Sequence, residues 1–268
     1  MSGVSYEDLL YAVEGGVATV TLNRPAKLNA LRERTFDELA DAIRRADAEP
    51  SVGAIVIAGS PDSRAFCAGG DLGMATAMRS ADAIRDHYFN RMSMLSRRVL
   101  DAGKPVVAAV GGACVGGGAE LALFCDQVIV AEEAFFAFNG TEIGGASWWG
   151  APQLLSLMVG LRRAEEILYS SRRVGGGEAA AIGLATRAVP GAELDAAVRE
   201  TCELLLDRSA EGLRQTKAGL RATKEILLAT MSAAAESSVG GHPGVVAAFE
   251  AFIGGERIDW RAQRAAGP

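Results

Sequence analysis

Residues 104–126, with the sequence KPVVAAVGGACVGGGAELALFCD, constrain the fold of this chain more than any other stretch. The apolar, β-branched run Val106–Val110 is too short for a helix and is bounded by Pro105 and Gly111, which predicts a buried strand. Glycines follow, and the run Ala119–Phe124 then has a strong helical pattern. The stretch is therefore typical of a buried strand that leads through glycines into the N-terminus of a helix.

The predicted helix carries one acidic residue, Glu120, between apolar neighbours. At the junction formed by Gly116, Gly117 and Gly118, unpaired backbone N–H groups and the positive end of the helix dipole point the same way, which favours a bound anion. The alternative is a tight turn with a solvated glutamate. The apolar residues on both sides of Glu120 argue against a solvated side chain and favour a carboxylate that lies beside the anion-binding backbone.

The rest of the chain alternates between strand and helix up to about residue 190, which indicates α/β organisation. The predicted elements are a hairpin over 9–22, strands over 53–59, 106–110 and 127–131, and helices over 36–50, 84–99, 117–124 and 152–160. From about Glu193 strands disappear, and helices with apolar faces are predicted over 193–207, 211–231 and 243–253. We therefore expect two regions, residues 1–192 and a helical region 193–268.

Composition excludes several classes of function. The chain has 268 residues, 49% of them hydrophobic and 22% charged, which is ordinary for a globular protein with a sizeable core. Its net charge of −6 argues against a nucleic-acid or anionic-membrane surface. Four cysteines without CxxC spacing and only two histidines argue against a zinc site and predict free thiols. Because neither a signal peptide nor a membrane-spanning run is evident, we expect a cytoplasmic protein.

Three sequence blocks, in this order and spacing, resemble the motifs of the enoyl-CoA hydratase/isomerase (crotonase) family. They are NRPAKLNAL at Asn23–Leu31, RAFCAGGDL at Arg64–Leu72, and the stretch at 104–126. The similarity continues to about residue 260. The resemblance implies a spiral of ββα turns, followed by C-terminal helices that assemble trimers, often paired into hexamers. It also implies an acyl-CoA thioester as substrate, with no metal and no prosthetic group.

The resemblance implies roles for individual residues. The backbone N–H groups of Ala68 and Gly117 would stabilise the enolate that forms when charge moves onto the thioester oxygen. In other enzymes, removing such a donor costs about 3–4 kcal/mol. Coenzyme A would lie against the second block, with its phosphates near basic side chains. The predicted CoA-binding residues are Arg24, Lys27, Leu28, Ala68, Gly70, Asp71, Leu72 and Arg257.

Hydratases of this family use two glutamates, and both positions are filled here. Glu120 matches the first, and Glu142, about twenty residues later, matches the second. Two carboxylates near one water do not both ionise readily, so one is expected to have a raised pKa and to act as the acid. The alternative for Glu142 is a surface glutamate in a loop.

The segment after Glu142 departs from the family pattern. Trp148 and Trp149 stand where small residues line the family's acyl pocket. Two indoles in that place predict a reshaped substrate pocket rather than one for a straight fatty acyl chain.

We therefore predict hydration of a 2-enoyl-CoA thioester, and two rival classes stay open. One is another reaction with the same oxyanion hole, either double-bond isomerisation or hydrolysis; the other is a non-catalytic binding protein. Two further motifs compete only weakly. Gly175–Ala180 fits the dinucleotide pattern GxGxxA but follows a poor strand. Ser147 lies in a near miss to GxSxG, for which His87 would be the base.

Overall fold

The chain winds between two β-sheets, as a computed structural model shows for residues 5–71, 73, 89–229, 248, 251–252, 254–256 and 258–265. The strands are β1 Leu9–Glu14, β2 Val17–Leu22, β3 Ala54–Gly59, β4 Ala65–Cys67, β5 Val106–Val110, β6 Ala113–Val115, β7 Gln127–Ala131, β8 Phe135–Ala137, β9 Val174–Gly175 and β10 Arg187–Val189. The helices are α1 Glu33–Ala48, α2 Asn90–Asp101, α3 Gly117–Phe124, α4 Ala151–Val159, α5 Leu161–Ser170, α6 Gly176–Ala181, α7 Leu194–Leu206, α8 Ala210–Leu228 and α9 Trp260–Ala265.

The order of strands explains how the spiral is built. The larger sheet has the order β1-β2-β3-β5-β7-β10, and the smaller has β4-β6-β8-β9. The pairs β3/β4, β5/β6 and β7/β8 each place one strand in either sheet, and each pair is followed by a helix. This repeat is the spiral of ββα turns that the resemblance implied, and the α/β prediction is confirmed.

Several elements have the predicted bounds because their sequence patterns are local. β5, α3 and β7 begin and end where the sequence indicated. β1 and β2 form the expected antiparallel hairpin around Gly15 and Gly16, whose φ angles of 56° and 83° suit glycine. The predicted helix over 243–253 lies mostly outside the described residues, as does the beginning of the one over 84–99.

The larger sheet is buried on both faces, which accounts for the apolar runs in its central strands. One face packs in the main core, against α1, α2 and the smaller sheet. The other face packs against α7, whose inward side chains cover Val56, Val107 and Ile129. They are Leu194, Ala197, Val198 and Cys202. Helix α7 therefore shares a core with the sheet, and the division at residue 192 remains a proposal.

Helix α8 is held against the ends of α2 and α3 by Lys217 and Lys224. The Lys224 ammonium donates to the carbonyl oxygens of Phe124 and Cys125, both at 3.3 Å, at the end of α3. The Lys217 ammonium donates to the carbonyl oxygens of Val99 (3.0 Å) and Lys104 (2.9 Å) and lies 2.7 Å from the Asp126 carboxylate. Lys217 thus supplies a hydrogen-bond donor to a carbonyl group in the last turn of α2. None of the helices in the described ranges has the length and apolar composition of a membrane span.

Candidate active site

The junction between β6 and α3 forms one half of the site. Gly116 has φ 51° and ψ −123°, a conformation that residues with a Cβ rarely adopt, and its N–H donates to the carbonyl of Ala137 at 2.9 Å. The next N–H group, that of Gly117, begins α3 and has no acceptor among the described residues. Gly118 lies so close to the Cys67 backbone that a Cβ would overlap it. The Gly117 N–H is therefore a free donor at a helix N-terminus.

The loop after β4 forms the other half. A Cβ built on Gly69 would lie 3.2 Å from the Gly117 nitrogen, so the two glycine segments are in direct contact. Leu31 forms a parallel bridge with Gly70: its N–H donates to the Gly69 carbonyl (2.7 Å), and its carbonyl accepts from the Asp71 N–H (2.9 Å). Successive peptide groups of an extended segment point to opposite sides. The Gly70 N–H consequently points away from Leu31, and none of the described residues accepts it.

The structure corrects the predicted donor in this loop. The Ala68 N–H donates to the carbonyl of Leu28 at 3.0 Å, so it is already engaged within the protein. The free N–H belongs to Gly70, two residues later. Sequence analysis had placed Gly70 only among the CoA-binding residues. The adjacent pair Gly69-Gly70 was the available signal, because glycine lets backbone come close to a ligand.

Glu120 is buried and lies three residues after Gly117, in the first turn of α3. Its carboxyl oxygen Oε1 accepts a 2.7 Å hydrogen bond from the backbone N–H of Trp149. Burial raises the pKa of Glu120 to about 8, although the N–H groups of Trp149 and Ala151 oppose that shift. At neutral pH the side chain is largely protonated, yet it ionises within reach of physiological pH. Such a group suits proton transfer.

Glu142 has a different environment from the one that was predicted. It is exposed in the turn after β8, where its N–H donates to the Asn139 carbonyl (3.2 Å) and its own carbonyl accepts from the Trp260 indole (3.2 Å). The raised pKa of Glu120 comes from burial and not from a second carboxylate. The structure therefore does not support the expectation of two glutamates coupled around one water.

The two tryptophans have separate places. Trp149 is fully buried in the main core, with ring centroids 5.6 Å from Phe36 and 5.4 Å from Phe124. It supports α1 and α3 rather than lining a pocket, which corrects that part of the prediction. Trp148 is only partly buried, 6.0 Å from the Phe89 ring, and its indole N–H is buried without a hydrogen-bond partner in the described structure. Trp148 alone keeps the role of a proposed pocket residue.

The predicted CoA contacts divide into two groups. Lys27 and Leu28 are exposed at a 3₁₀ turn, as a ligand contact requires. Arg24 is mostly buried and pairs with Asp71 at 2.7 Å, so neither side chain is free for a phosphate. Two further predicted contacts, Leu72 and Arg257, lie outside the described residues.

The other motifs of the sequence receive structural explanations or fall outside the described residues. Gly176, within the GxGxxA pattern, packs tightly against the Ala131 carbonyl at the start of α6, which accounts for a glycine there. Ser147 is buried, and His87, the base of the hydrolase alternative, is outside the described residues. Asn139, which sequence analysis did not single out, lies next to Gly116: its amide oxygen would be 3.2 Å from a Cβ built on that glycine. Among the described residues no group of His, Cys, Asp and Glu could hold a metal ion.

Residues 12–250 match the family model described as enoyl-CoA hydratase/isomerase. A probable enoyl-CoA hydratase of Mycobacterium tuberculosis is 33% identical over 214 residues, which cover 80% of this chain and 81% of the relative. The crystal structure of an enoyl-CoA hydratase/isomerase from Xanthobacter autotrophicus Py2 superposes with a TM-score of 0.84 at 32% identity, covering 97% of both chains.

A third match is a monofunctional enoyl-CoA isomerase from M. smegmatis. It superposes with a TM-score of 0.70 at 30% identity, covering 81% of this chain and 94% of the isomerase. Fold and site together define a protein with paired backbone donors beside one buried carboxyl group. The chain belongs to the enoyl-CoA hydratase/isomerase family.

Proposed function

We propose that this protein hydrates a 2-enoyl-CoA thioester to the 3-hydroxyacyl-CoA. The observation that carries the proposal is the buried carboxyl group of Glu120, with its raised pKa, on the helix that begins with the free Gly117 N–H. The Gly70 N–H, from the adjoining loop, supplies the second donor. Relatives described as enoyl-CoA hydratases support the same reaction.

Glu120 can carry the proton through both stages of this reaction. In its ionised form it takes a proton from a water molecule while the water oxygen bonds to C3 of the substrate. The electron pair of the C2–C3 double bond then forms an enolate, whose charge rests on the thioester oxygen. The N–H groups of Gly70 and Gly117 stabilise that oxygen, and the protonated Glu120 then delivers its proton to C2. The water is consumed, and the carboxylate is restored.

The acyl-CoA would lie across the Gly69–Asp71 loop. Lys27 and Leu28 are exposed next to this loop in space, since the Leu28 carbonyl accepts from the Ala68 N–H, and would contact the CoA portion. Lys27 is the one member of the predicted set in the described ranges whose cationic group is exposed and available to a phosphate. Trp148 would bound the acyl group. No prosthetic group or metal has a step in this scheme.

Isomerisation of the double bond is the second candidate, and the exposed position of Glu142 favours it. A single buried carboxyl group can move one proton from C2 of a 3-enoyl thioester to C4, through a dienolate whose charge rests on the same thioester oxygen. Both reactions need Glu120 and the two donors, but only hydration consumes water. The similarity to the M. smegmatis protein described as a monofunctional enoyl-CoA isomerase supports this alternative.

Product analysis separates the two reactions. The purified protein is incubated with a four-carbon 2-enoyl-CoA in water enriched in ¹⁸O, and in a parallel reaction with a six-carbon 3-enoyl-CoA. The products are separated by liquid chromatography before mass spectrometry, because the 2-enoyl and 3-enoyl isomers have the same mass. Hydration predicts a 3-hydroxyacyl-CoA that carries ¹⁸O from the first substrate. Conversion of only the second substrate, without ¹⁸O, would establish isomerisation instead.

We also propose a cytoplasmic homotrimer or homohexamer that binds neither nucleic acid nor membranes. Large apolar side chains on α7 and α8 are exposed in the single chain, as a subunit contact would require. They are Leu204, Leu206, Leu220 and Ile226. Sedimentation at micromolar concentration tests the assembly, and a monomer would contradict it. The net charge of −6 supports the absence of nucleic-acid binding.

A further inference from the structure

We propose that Arg24 is a positioning residue, whose ion pair with Asp71 holds the Gly70 N–H in the oxyanion hole. The inference rests on the proposed function, because it assigns Arg24 to the same reaction. It replaces the sequence-based role of Arg24 as a contact for CoA phosphates. Four sets of contacts within the described residues lead to it.

The guanidinium of Arg24 is committed to protein partners on all of its nitrogens. Nη2 lies 2.7 Å from the Asp71 carboxylate, Nη1 donates to the Ala30 carbonyl, and Nε lies 3.6 Å from the Asp8 carboxylate. The Arg24 side chain is only 13% exposed. A guanidinium with five donors in a fixed plane is suited to bridging several acceptors at once. Arg24 is thus a mostly buried residue that links several parts of the protein, and not a surface cation.

Asp71 connects Arg24 to the loop after β4 that carries Gly70. It directly follows Gly70, and its N–H is the one that bonds to the Leu31 carbonyl. One carboxylate oxygen accepts from Arg24, and the other accepts from the Gly73 N–H at 2.8 Å. Burial alone would raise the pKa of Asp71, but the hydrogen bonds from Arg24 and Gly73 keep it below its ordinary value. The carboxylate is therefore ionised and fixed at both oxygens.

On its other side, Arg24 lies against Asp8, a carboxylate buried in the core. Asp8 is 2% exposed and accepts hydrogen bonds from Arg32 (2.6 and 2.8 Å) and from the hydroxyl of Thr35 (2.6 Å), both at the start of α1. Arg24 thus spans from a buried, hydrogen-bonded carboxylate to the loop that carries Gly70. Through Arg24, the Asp8 carboxylate and the start of α1 therefore restrain the movement of Asp71, although they do not themselves touch the site.

The backbone around Arg24 reinforces the same loop. The Arg24 N–H donates to the amide oxygen of Asn29 (2.9 Å), and the Asn29 amide nitrogen donates to the carbonyls of Ala65 (2.9 Å) and Phe66 (3.2 Å). Together with the Leu28–Ala68 hydrogen bond, these contacts hold the segment from β4 to Gly70 in place. An oxyanion donor acts only at the correct position, so small displacements reduce its effect strongly.

The test compares Arg24→Gln and Asp71→Asn with the wild type, and with Arg32→Gln as a matched control. Arg32 also pairs with Asp8 but has no contact with Asp71, so its loss reports the stability cost of the buried network alone. Three quantities are measured: turnover of a four-carbon 2-enoyl-CoA, affinity for free CoA by calorimetry, and the absorption band of a bound cinnamoyl-CoA-type thioester. That band shifts to the red when donors polarise the thioester carbonyl, so it reports the oxyanion hole without chemistry.

The proposal predicts that Arg24→Gln and Asp71→Asn each lower kcat at least about tenfold and reduce the red shift of the bound thioester. The double variant should lose no more than either single variant, because both remove one interaction. Free CoA should bind within about threefold of wild type, and Arg32→Gln should keep both kcat and the red shift. If Arg24→Gln does not fold, Asp71→Asn decides the question, since it removes the pair at the more exposed partner.

Two results would overturn the inference. One is a wild-type kcat and red shift in Asp71→Asn or Arg24→Gln; the other is a selective loss of CoA affinity in Arg24→Gln, which would make Arg24 a phosphate ligand after all. Failure of the proposed function would look different, because the wild type itself would then not hydrate the 2-enoyl-CoA. If the protein is instead an isomerase with the same two donors, the wild type still shifts the band, and the red shift alone tests the Arg24–Asp71 pair.

Discussion

The Glu120 side chain contacts the backbone just before helix α4: its carboxyl oxygen Oε1 accepts a 2.7 Å hydrogen bond from the backbone N–H of Trp149. Trp149 directly precedes Gly150, the N-cap residue of α4. The carboxyl group assigned to proton transfer is thus also a structural acceptor. Its partner is a peptide N–H, which cannot titrate. The position of the Glu120 oxygen is therefore set whether or not the group is ionised.

The burial of Glu120 predicts a specific dependence of stability on pH. Between its ordinary pKa of 4.5 and its folded pKa of about 8, the unfolded chain releases the Glu120 proton while the folded chain retains it. The unfolded state then binds fewer protons, so the free energy of unfolding falls as the pH rises, by about 1.4 kcal/mol per pH unit. Glu120→Gln should abolish this contribution.

Denaturant unfolding of both proteins at pH 5, 6.5 and 8 measures the effect. The stability of Glu120→Gln relative to wild type should increase across this series. A difference between the two proteins that is the same at all three pH values would contradict the raised pKa.

Truncation of the two neighbouring indoles should affect different properties, the stability at Trp149 and the substrate preference at Trp148. Trp149→Ala removes a fully buried ring between Phe36 and Phe124 and should cost about 3–5 kcal/mol of unfolding free energy. Trp149→Phe keeps an aromatic ring and removes an indole N–H that has no partner in the described structure, so it should cost far less.

Trp148→Gly should change the preference among acyl chains of different length, measured as ratios of kcat/KM, while free CoA binds with nearly unchanged affinity. Equal losses for every chain length would show that Trp148 does not bound the acyl group.

Glu142→Gln distinguishes one catalytic carboxyl group from two. A two-carboxylate mechanism predicts a loss of at least about a hundredfold in turnover. The exposed position of Glu142, without contact to Glu120, leads us to expect turnover within about threefold of wild type. Initial rates with the 2-enoyl-CoA measure the change. A hundredfold loss would mean that Glu142 joins the site when substrate binds.

Lys217 should be important for the attachment of α8. Its buried ammonium makes an ion pair and two carbonyl hydrogen bonds, so Lys217→Met removes this cation from the Asp126 carboxylate and from the carbonyl groups of Val99 and Lys104. We expect a loss of about 3–5 kcal/mol in unfolding free energy. Arg162→Met is the control, since Arg162 is almost fully exposed in its pair with Glu165 and should contribute about 0–1 kcal/mol. Comparable losses in the two variants would contradict the role of Lys217.

The part of the fold that sequence analysis predicted is the part that local patterns determine. The β-branched run Val106–Val110 and the glycines before Glu120 specify a strand, a turn and a helix without reference to the rest of the chain. The burial of Glu120 beside a free N–H followed from the same pattern. Such features depend on neighbours within one or two turns.

The errors concern partners that are distant in sequence. Whether the Ala68 N–H is free depends on Leu28, forty residues away, and the place of Trp149 depends on Phe36. Arg24 looked like a phosphate ligand because its charge is visible in the sequence, whereas its carboxylate partners are brought to it only by folding. A pattern of residue types identifies potential donors, but the fold decides which of them are already engaged.

Replacement of Glu120 by glutamine tests the central claim most directly, since it removes the transferable proton while keeping the size and one hydrogen-bond acceptor of the side chain. The measurement is kcat for the four-carbon 2-enoyl-CoA together with the dissociation constant of a saturated acyl-CoA. Our account predicts that kcat falls at least about a hundredfold whereas acyl-CoA affinity changes less than about threefold, because affinity comes from the donors and the CoA contacts. Turnover near the wild-type value in a folded Glu120→Gln protein would contradict it.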